Sequence, residues 1–293
     1  MQKNKIKGYA RSIRKFWEQY KESKLGIIGL FTLLFFILVS TFPEVLAPYP
    51  VGVLQGDRKN LLQPPSSKYL LGTDELGRDI LSILIHGGRI SLLIGLFATL
   101  IIAFIGTFIG VSAGYFGGKT EELLMRLTDV FLVIPGLPLM IVMASLLGAN
   151  FFNMILVIGI TGWTGTARVL RAQVLSLKEM PFIESTRAIG ASDARIIVWH
   201  ILPNVLPLIV AQAVLRIGGS ILSAATLSFL GLGDSTKISW GMTLSYAFGI
   251  GSIFNDYYWY IIPPGVCITL IVLSFTFIGY ALDGIVNPRI RER

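Results

Sequence analysis

Charge is what this sequence has least of. Asp, Glu, Lys and Arg make up 14% of its 293 residues, against 53% that are hydrophobic, and the mean hydropathy is +0.70. A soluble domain of this length needs more charged surface, so that class is excluded. Cysteine is nearly absent. Cys267 is alone, forms no internal disulfide and carries no information on redox compartment. The two histidines, His86 and His200, have no histidine or cysteine at ligand spacing, so no metal site is expected. No serine–histidine–acid set and no paired intramembrane carboxylates argue for hydrolysis, so no enzyme is expected. Acids are also scarce in the apolar runs, and Asp129 and Asp283 fall near their ends. A transporter driven by an ion gradient would use such acids or discontinuous helices. It stays open here as the alternative.

What the sequence has is long uncharged runs: 25–43, 90–118, 130–167 and 257–282. A bilayer-spanning helix needs about 20 apolar residues, whereas a barrel would show short alternating segments. The expected class is therefore an all-α polytopic membrane protein. Gly148-Ala149-Asn150 divides the third run, and six transmembrane helices follow, near 25–42, 90–115, 127–147, 152–169, 204–229 and 259–281. The first run exceeds a usual signal-peptide core, which makes it a span rather than a cleaved leader.

Lysine and arginine set the orientation. Eighteen of the 25 fall before the first span, between spans two and three, between four and five, and after the sixth. That side is expected to be the cytoplasm, with both termini on it. The net charge of +8 is thus a topology signal and implies no nucleic acid. Residues 1–24 carry Ile6, Tyr9, Ile13, Phe16, Trp17 and Tyr20 at helical spacing among basic residues, as in a helix lying on the inner surface of the lipid bilayer. Tyr257, Tyr258, Trp259 and Tyr260 read as an aromatic belt at the outer interface.

Within the connection 171–203, the stretch 181–204 reads PFIESTRAIGASDARIIVWHILPN. A short helix over 182–189 can end at Gly190 in a left-handed conformation. Ser192 can cap a second helix with Asp193 in its first turn. That helix should stop before Pro203.

This elbow resembles the cytoplasmic loop of ABC importer permeases, which runs Glu-Ala-Ala, three residues, Gly, about ten residues, then hydrophobic-Leu-Pro. Here the matching residues are Glu184-Ser185-Thr186, Gly190 and Ile201-Leu202-Pro203, with two small residues in place of the alanines. Residues 71–79 (LGTDELGRD), 88–92 (GRISL), 227–233 (LSFLGLG) and Ser239-Trp240-Gly241 resemble the second permease of dipeptide, oligopeptide and nickel importers. The resemblance implies a type I ABC importer permease fold over 25–293 in a bacterial or archaeal cytoplasmic membrane. It implies a second homologous permease, two cytoplasmic ATPase subunits that use ATP and Mg, and an extracytoplasmic substrate-binding protein. No cofactor is bound by this chain. The implied ATPase-coupling residues are Glu184, Ser185, Thr186, Ala188, Ile189, Gly190, Ala191 and Ser192. The outer segment 48–89, with Gly72, Thr73, Asp74, Gly77, Arg78 and Asp79, is implied to face the binding protein.

Other features were weighed on their own chemistry. Residues 113–120 end in Gly118-Lys119-Thr120 and fit a relaxed phosphate-loop pattern, but no α/β domain surrounds them, so ATP binding is not expected here. Gly106, Gly110 and Gly114 allow close helix packing, either within the chain or against the second permease. Pro135, Pro138, Pro263 and Pro264 predict bends. Arg216 lies midway along the fifth span. It either lines the translocation path and meets a peptide carboxylate, or pairs with a carboxylate or carbonyl of the second permease, because a charge there costs about 3 kcal/mol against lipid.

Overall fold

The computed structural model describes residues 17–50 and 56–286. Among them the chain is all-α. Its long helices are α1 (Lys24–Thr41), α3 (Ile80–Phe116), α10 (Leu202–Leu227) and α12 (Tyr258–Val286). A one-turn helix, α2 (Pro43–Leu46), follows α1. Between α3 and α10 come α4 (Gly118–Val133), α5 (Gly136–Leu147), α6 (Phe151–Gly162), α7 (Thr164–Lys178), α8 (Pro181–Ala188) and α9 (Asp193–Ile196). The short α11 (Trp240–Gly249) precedes α12. Four helices are long and apolar enough to cross a membrane, and the bent pair α4–α5 would make a fifth.

The helices differ from the uncharged runs for local reasons. The second expected span, 90–115, is the inner part of α3, which starts ten residues earlier because the Asp79 carboxylate accepts from the Ser82 N–H at 2.8 Å and caps it. At 37 residues, α3 is about 55 Å long and exceeds the bilayer core. The third expected span, 127–147, is not one rod. Ile134 and Pro135 are extended (ψ 124° and 123°), and α4 and α5 meet at 88°. The ring of Pro135 disfavours helical backbone at the residue before it. The fourth, 152–169, is interrupted only at Trp163, which keeps right-handed backbone (φ −76°, ψ −21°).

The expected stop before Pro203 does not occur. From Asp193 the chain stays helical to Leu230, and Gly231 turns it at φ +82°. Over Ile197–Ile201 it widens into a π-turn, in which the Leu202 N–H donates to the Ile197 carbonyl. Widening accommodates a proline that has no N–H to give and would crowd the carbonyl four residues back. The Asn204 side-chain amide donates to the freed His200 carbonyl at 2.7 Å. Pro263 and Pro264 lie inside α12 without ending it.

Small residues set the core. Along α3, a Cβ at Gly106 would stand 2.8 Å from Thr166, one at Gly110 2.6 Å from the Ala167 carbonyl, and one at Gly114 2.8 Å from Val174. The glycine row therefore packs against α7 of the same chain. Near the start of α3, Trp240 is 1% exposed, donates its indole N–H to the Leu84 carbonyl at 2.8 Å and packs edge-on to Phe36. Phe31, Phe104 and Phe108 stand 66–73% exposed, as residues facing lipid or a partner subunit do.

Candidate functional sites: the elbow, the outer knot and a midspan arginine

Helix α8 ends as its sequence requires. Gly190 has φ +84°, its N–H donates to the Arg187 carbonyl at 3.0 Å, and the Ala191 N–H donates to the Thr186 carbonyl at 3.3 Å. This is the paired closure of a Schellman turn. Ser192 occupies the cap position of α9, and its carbonyl, not its hydroxyl, takes the first helical bond, from Ile196 at 3.0 Å. The two hydroxyls that stand where alanine was expected serve the helix itself: Ser185 donates to the Pro181 carbonyl at 2.8 Å, and Thr186 to that of Phe182 at 2.7 Å.

One face of the elbow is anchored. Ile183, Ile196 and Ile201 are fully buried against Val111 and Tyr115 of α3 and Leu170 and Val174 of α7. The Tyr115 hydroxyl donates to the Asp193 carboxylate at 2.7 Å, and the Arg187 guanidinium lies over the Tyr115 ring at 5.8 Å. The other face is free. Glu184, Ser185, Ala188 and Ser192 are exposed, Thr186 and Ala191 are half-buried, and Ile189 is 84% exposed beside the turn at Gly190. The Tyr115 clamp was not foreseen. Its signal in sequence was limited to the Asp193 carboxylate at a helix start.

The outer residues form a buried knot. Asp74 is wholly buried and accepts from the Arg78 Nε at 2.6 Å, the Arg78 N–H at 2.7 Å and the Leu76 N–H at 2.9 Å. Thr73 pairs with Asp79 in an isolated antiparallel bridge, and its hydroxyl donates to the Asn60 carbonyl at 2.6 Å. Gly72 and Gly77 turn the chain at φ +75° and +77°. All six named residues point into the segment and hold its shape. The surface they support is formed by neighbours such as Leu70 and Leu76, which are 62% and 39% exposed. Tyr260, read from sequence as part of a belt, is fully buried here, and its hydroxyl donates to Glu75. Burial raises the Glu75 carboxyl above the usual carboxylate range, against the opposing pull of that hydrogen bond.

Arg216 reaches across from α10 to α7. A Cβ at Gly165 would collide with its guanidinium, so glycine makes the seat. It is half-buried, with no hydrogen-bonded or ion-paired partner among the described residues. The two arginines of α7 are paired with α4: Arg168 to Asp129 at 2.6 Å, and Arg171 to Glu121. The described residues contain no group of three His, Cys, Asp or Glu placed to hold a metal.

The fold is that of a membrane-embedded ABC importer permease. It superimposes on a chain of the methionine ABC transporter in an inward-facing crystal form with a TM-score of 0.55, at 20% identity, over 71% of this chain and 96% of that one. Residues 106–292 match the binding-protein-dependent transport system inner membrane component family, and residues 13–65 match the N-terminal domain of oligopeptide transport permease C. The chain belongs to that family of inner membrane components. The dipeptide transport system permease protein of Bacillus subtilis is 35% identical over 94% of this chain and 85% of its own length. That of Haemophilus influenzae is 35% identical over 96% of both. The glutathione transport system permease protein of Escherichia coli is 38% identical over 94% of this chain and 90% of its own. This is a multi-pass inner-membrane permease subunit, and ATP is hydrolysed by separate subunits. The gradient-driven alternative is set aside.

Proposed function

We propose that this chain is one of two permeases of a small-peptide importer and that its elbow transmits ATPase closure to the membrane helices. The observation that carries the reading is the two-faced elbow: Ile183, Ile196 and Ile201 fix it to α3 and α7, while Ile189 stands bare beside the left-handed Gly190. A push on the exposed face moves α10 directly, because the helix is continuous from Asp193 through the π-turn. In this reading Glu184, Ser185, Thr186, Ala188, Ile189, Gly190, Ala191 and Ser192 form the surface that docks on the ATPase.

The same reading has six spans. The α4–α5 pair makes one, and α6 continued through Trp163 into α7 makes another. Both ends of the chain are then cytoplasmic, on the side richer in lysine and arginine. The surface helix expected over residues 1–24 falls mostly on residues 1–16, which lie outside the described residues; within the described part, Trp17 stacks on the buried Tyr20 at 5.8 Å. The outer segment 48–89, shaped by the Asp74–Arg78 knot, receives the binding protein. Arg216 faces the translocation path.

Small-peptide cargo is supported by the named substrates of the relatives, which are dipeptides and glutathione. The test is uptake of labelled di- and oligopeptides by cells lacking this chain. Loss of uptake that the intact chain restores is expected. Unchanged uptake, with no redundant importer present, would contradict peptide cargo.

A further inference from the structure

We propose that the Arg216 guanidinium receives a carboxylate of the cargo midway along the path. The inference rests on the path reading above and adds the chemistry of what is recognised. Three observations converge on it. First, Arg216 lies near the middle of α10, seated on Gly165, and is the one arginine of α4, α7 and α10 with no acid partner among the described residues. Arg168 and Arg171, further along α7, already have Asp129 and Glu121. An uncompensated cation at membrane depth calls for an anion from outside the chain.

Second, the face of α10 that carries Arg216 is polar or small. Gln212, Arg216, Gly219, Ser223 and Thr226 recur at spacings of four and three, and none is buried within the chain. An α-helix brings such positions onto one stripe. A wall facing lipid would be apolar there, as it is at the neighbouring positions Leu206, Val210 and Leu222.

Third, this chain does not fill in the stripe. A Cβ at Gly219, one turn away, would meet nothing within 4 Å. A stripe that packed tightly within this chain would leave no such room. Guanidinium is also the side chain whose planar donor fork matches a carboxylate in two parallel bonds. A peptide with a free C-terminus brings that group.

The test uses vesicles holding the complete complex with its binding protein. Uptake is compared at saturating concentration for a dipeptide and its C-terminal amide. Arg216→Gln should lower uptake of the acid at least tenfold and collapse the acid-to-amide ratio toward one. Arg216→Lys, which keeps the charge but not the fork, should keep only part of the uptake and of the acid preference, and subunit co-purification should be unchanged. An unchanged ratio, or equal loss of acid and amide, would overturn the proposal. So would complex disassembly in Arg216→Gln reversed in Arg216→Lys, which would assign the charge to pairing with the second permease. Wild-type vesicles that take up neither peptide would overturn the peptide reading itself, and this proposal with it.

Discussion

At the scale of single residues, the outer knot is where chemistry and stability meet. Asp74 and Arg78 are 0% and 7% exposed at their side chains, so each is the other's compensation for leaving water. Removing Asp74 takes from buried Arg78 its closest acid, since Glu75 stands 3.9 Å away. Asp74→Ala should therefore cost about 3–5 kcal/mol, seen as a lowered unfolding midpoint of the detergent-solubilised complex. Asp74→Leu with Arg78→Met should recover much of it. Glu75 carries a pH signature. Its carboxyl is held above its unfolded value chiefly by burial, so the folded state binds the extra proton. That contribution is full below the ordinary glutamate range and is lost as pH rises through the raised value. Midpoints measured against pH should fall across that window and flatten there in Glu75→Gln. An unchanged slope in the variant would assign the effect elsewhere.

At the scale of elements, the glycine row decides how α3 meets α7. Gly110 leaves 2.6 Å between a would-be Cβ and the Ala167 carbonyl, and backbone cannot turn aside as a flexible side chain can. Gly110→Val should separate the helices and cost at least 1–3 kcal/mol, the usual range for overpacking. Gly265→Ala, with nothing within 4 Å, should be tolerated. Subunit recovered from membranes by size-exclusion chromatography reads the difference.

Much of the elbow was legible in the sequence. Proline before a helix, glycine after it and Ser-Asp at the next start are local chemistry, and the Schellman turn at Gly190 follows them. The run through Pro203 was not legible, because a π-turn is a compromise between a missing N–H and tertiary packing around Ile196 and Ile201. Tyr260 misled for a related reason. Its aromatic neighbours suggested an interface belt, while its hydroxyl was needed by Glu75, 185 residues earlier in the chain. Long-range pairing of that kind leaves no local pattern. The seat of Arg216 on Gly165 was likewise hidden, although the charge itself stood out in an apolar span.

At the scale of the whole molecule, hydropathy gave the membrane class, and the 88° bend shows why a count of spans from hydropathy alone is coarse. The exposed apolar surface, Leu146 and Val133 above 80% among it, is for lipid or a partner subunit to cover, and as a permease subunit the chain is one part of a larger assembly. In the proposed reading its task within that assembly is mechanical: the elbow takes up movement made elsewhere and α10 carries it across the bilayer.

The most direct test is ATP-driven uptake by the reconstituted complex carrying Gly190→Val. Nothing in this chain lies within 4 Å of a Cβ there, so within the chain the effect comes from the backbone, which must hold φ +84°. A β-branched residue resists that conformation, whereas asparagine accepts it. The account predicts that Gly190→Val leaves the complex assembled but abolishes uptake, and that Gly190→Asn keeps most of it. Normal uptake by an assembled Gly190→Val complex would contradict the coupling role of the elbow.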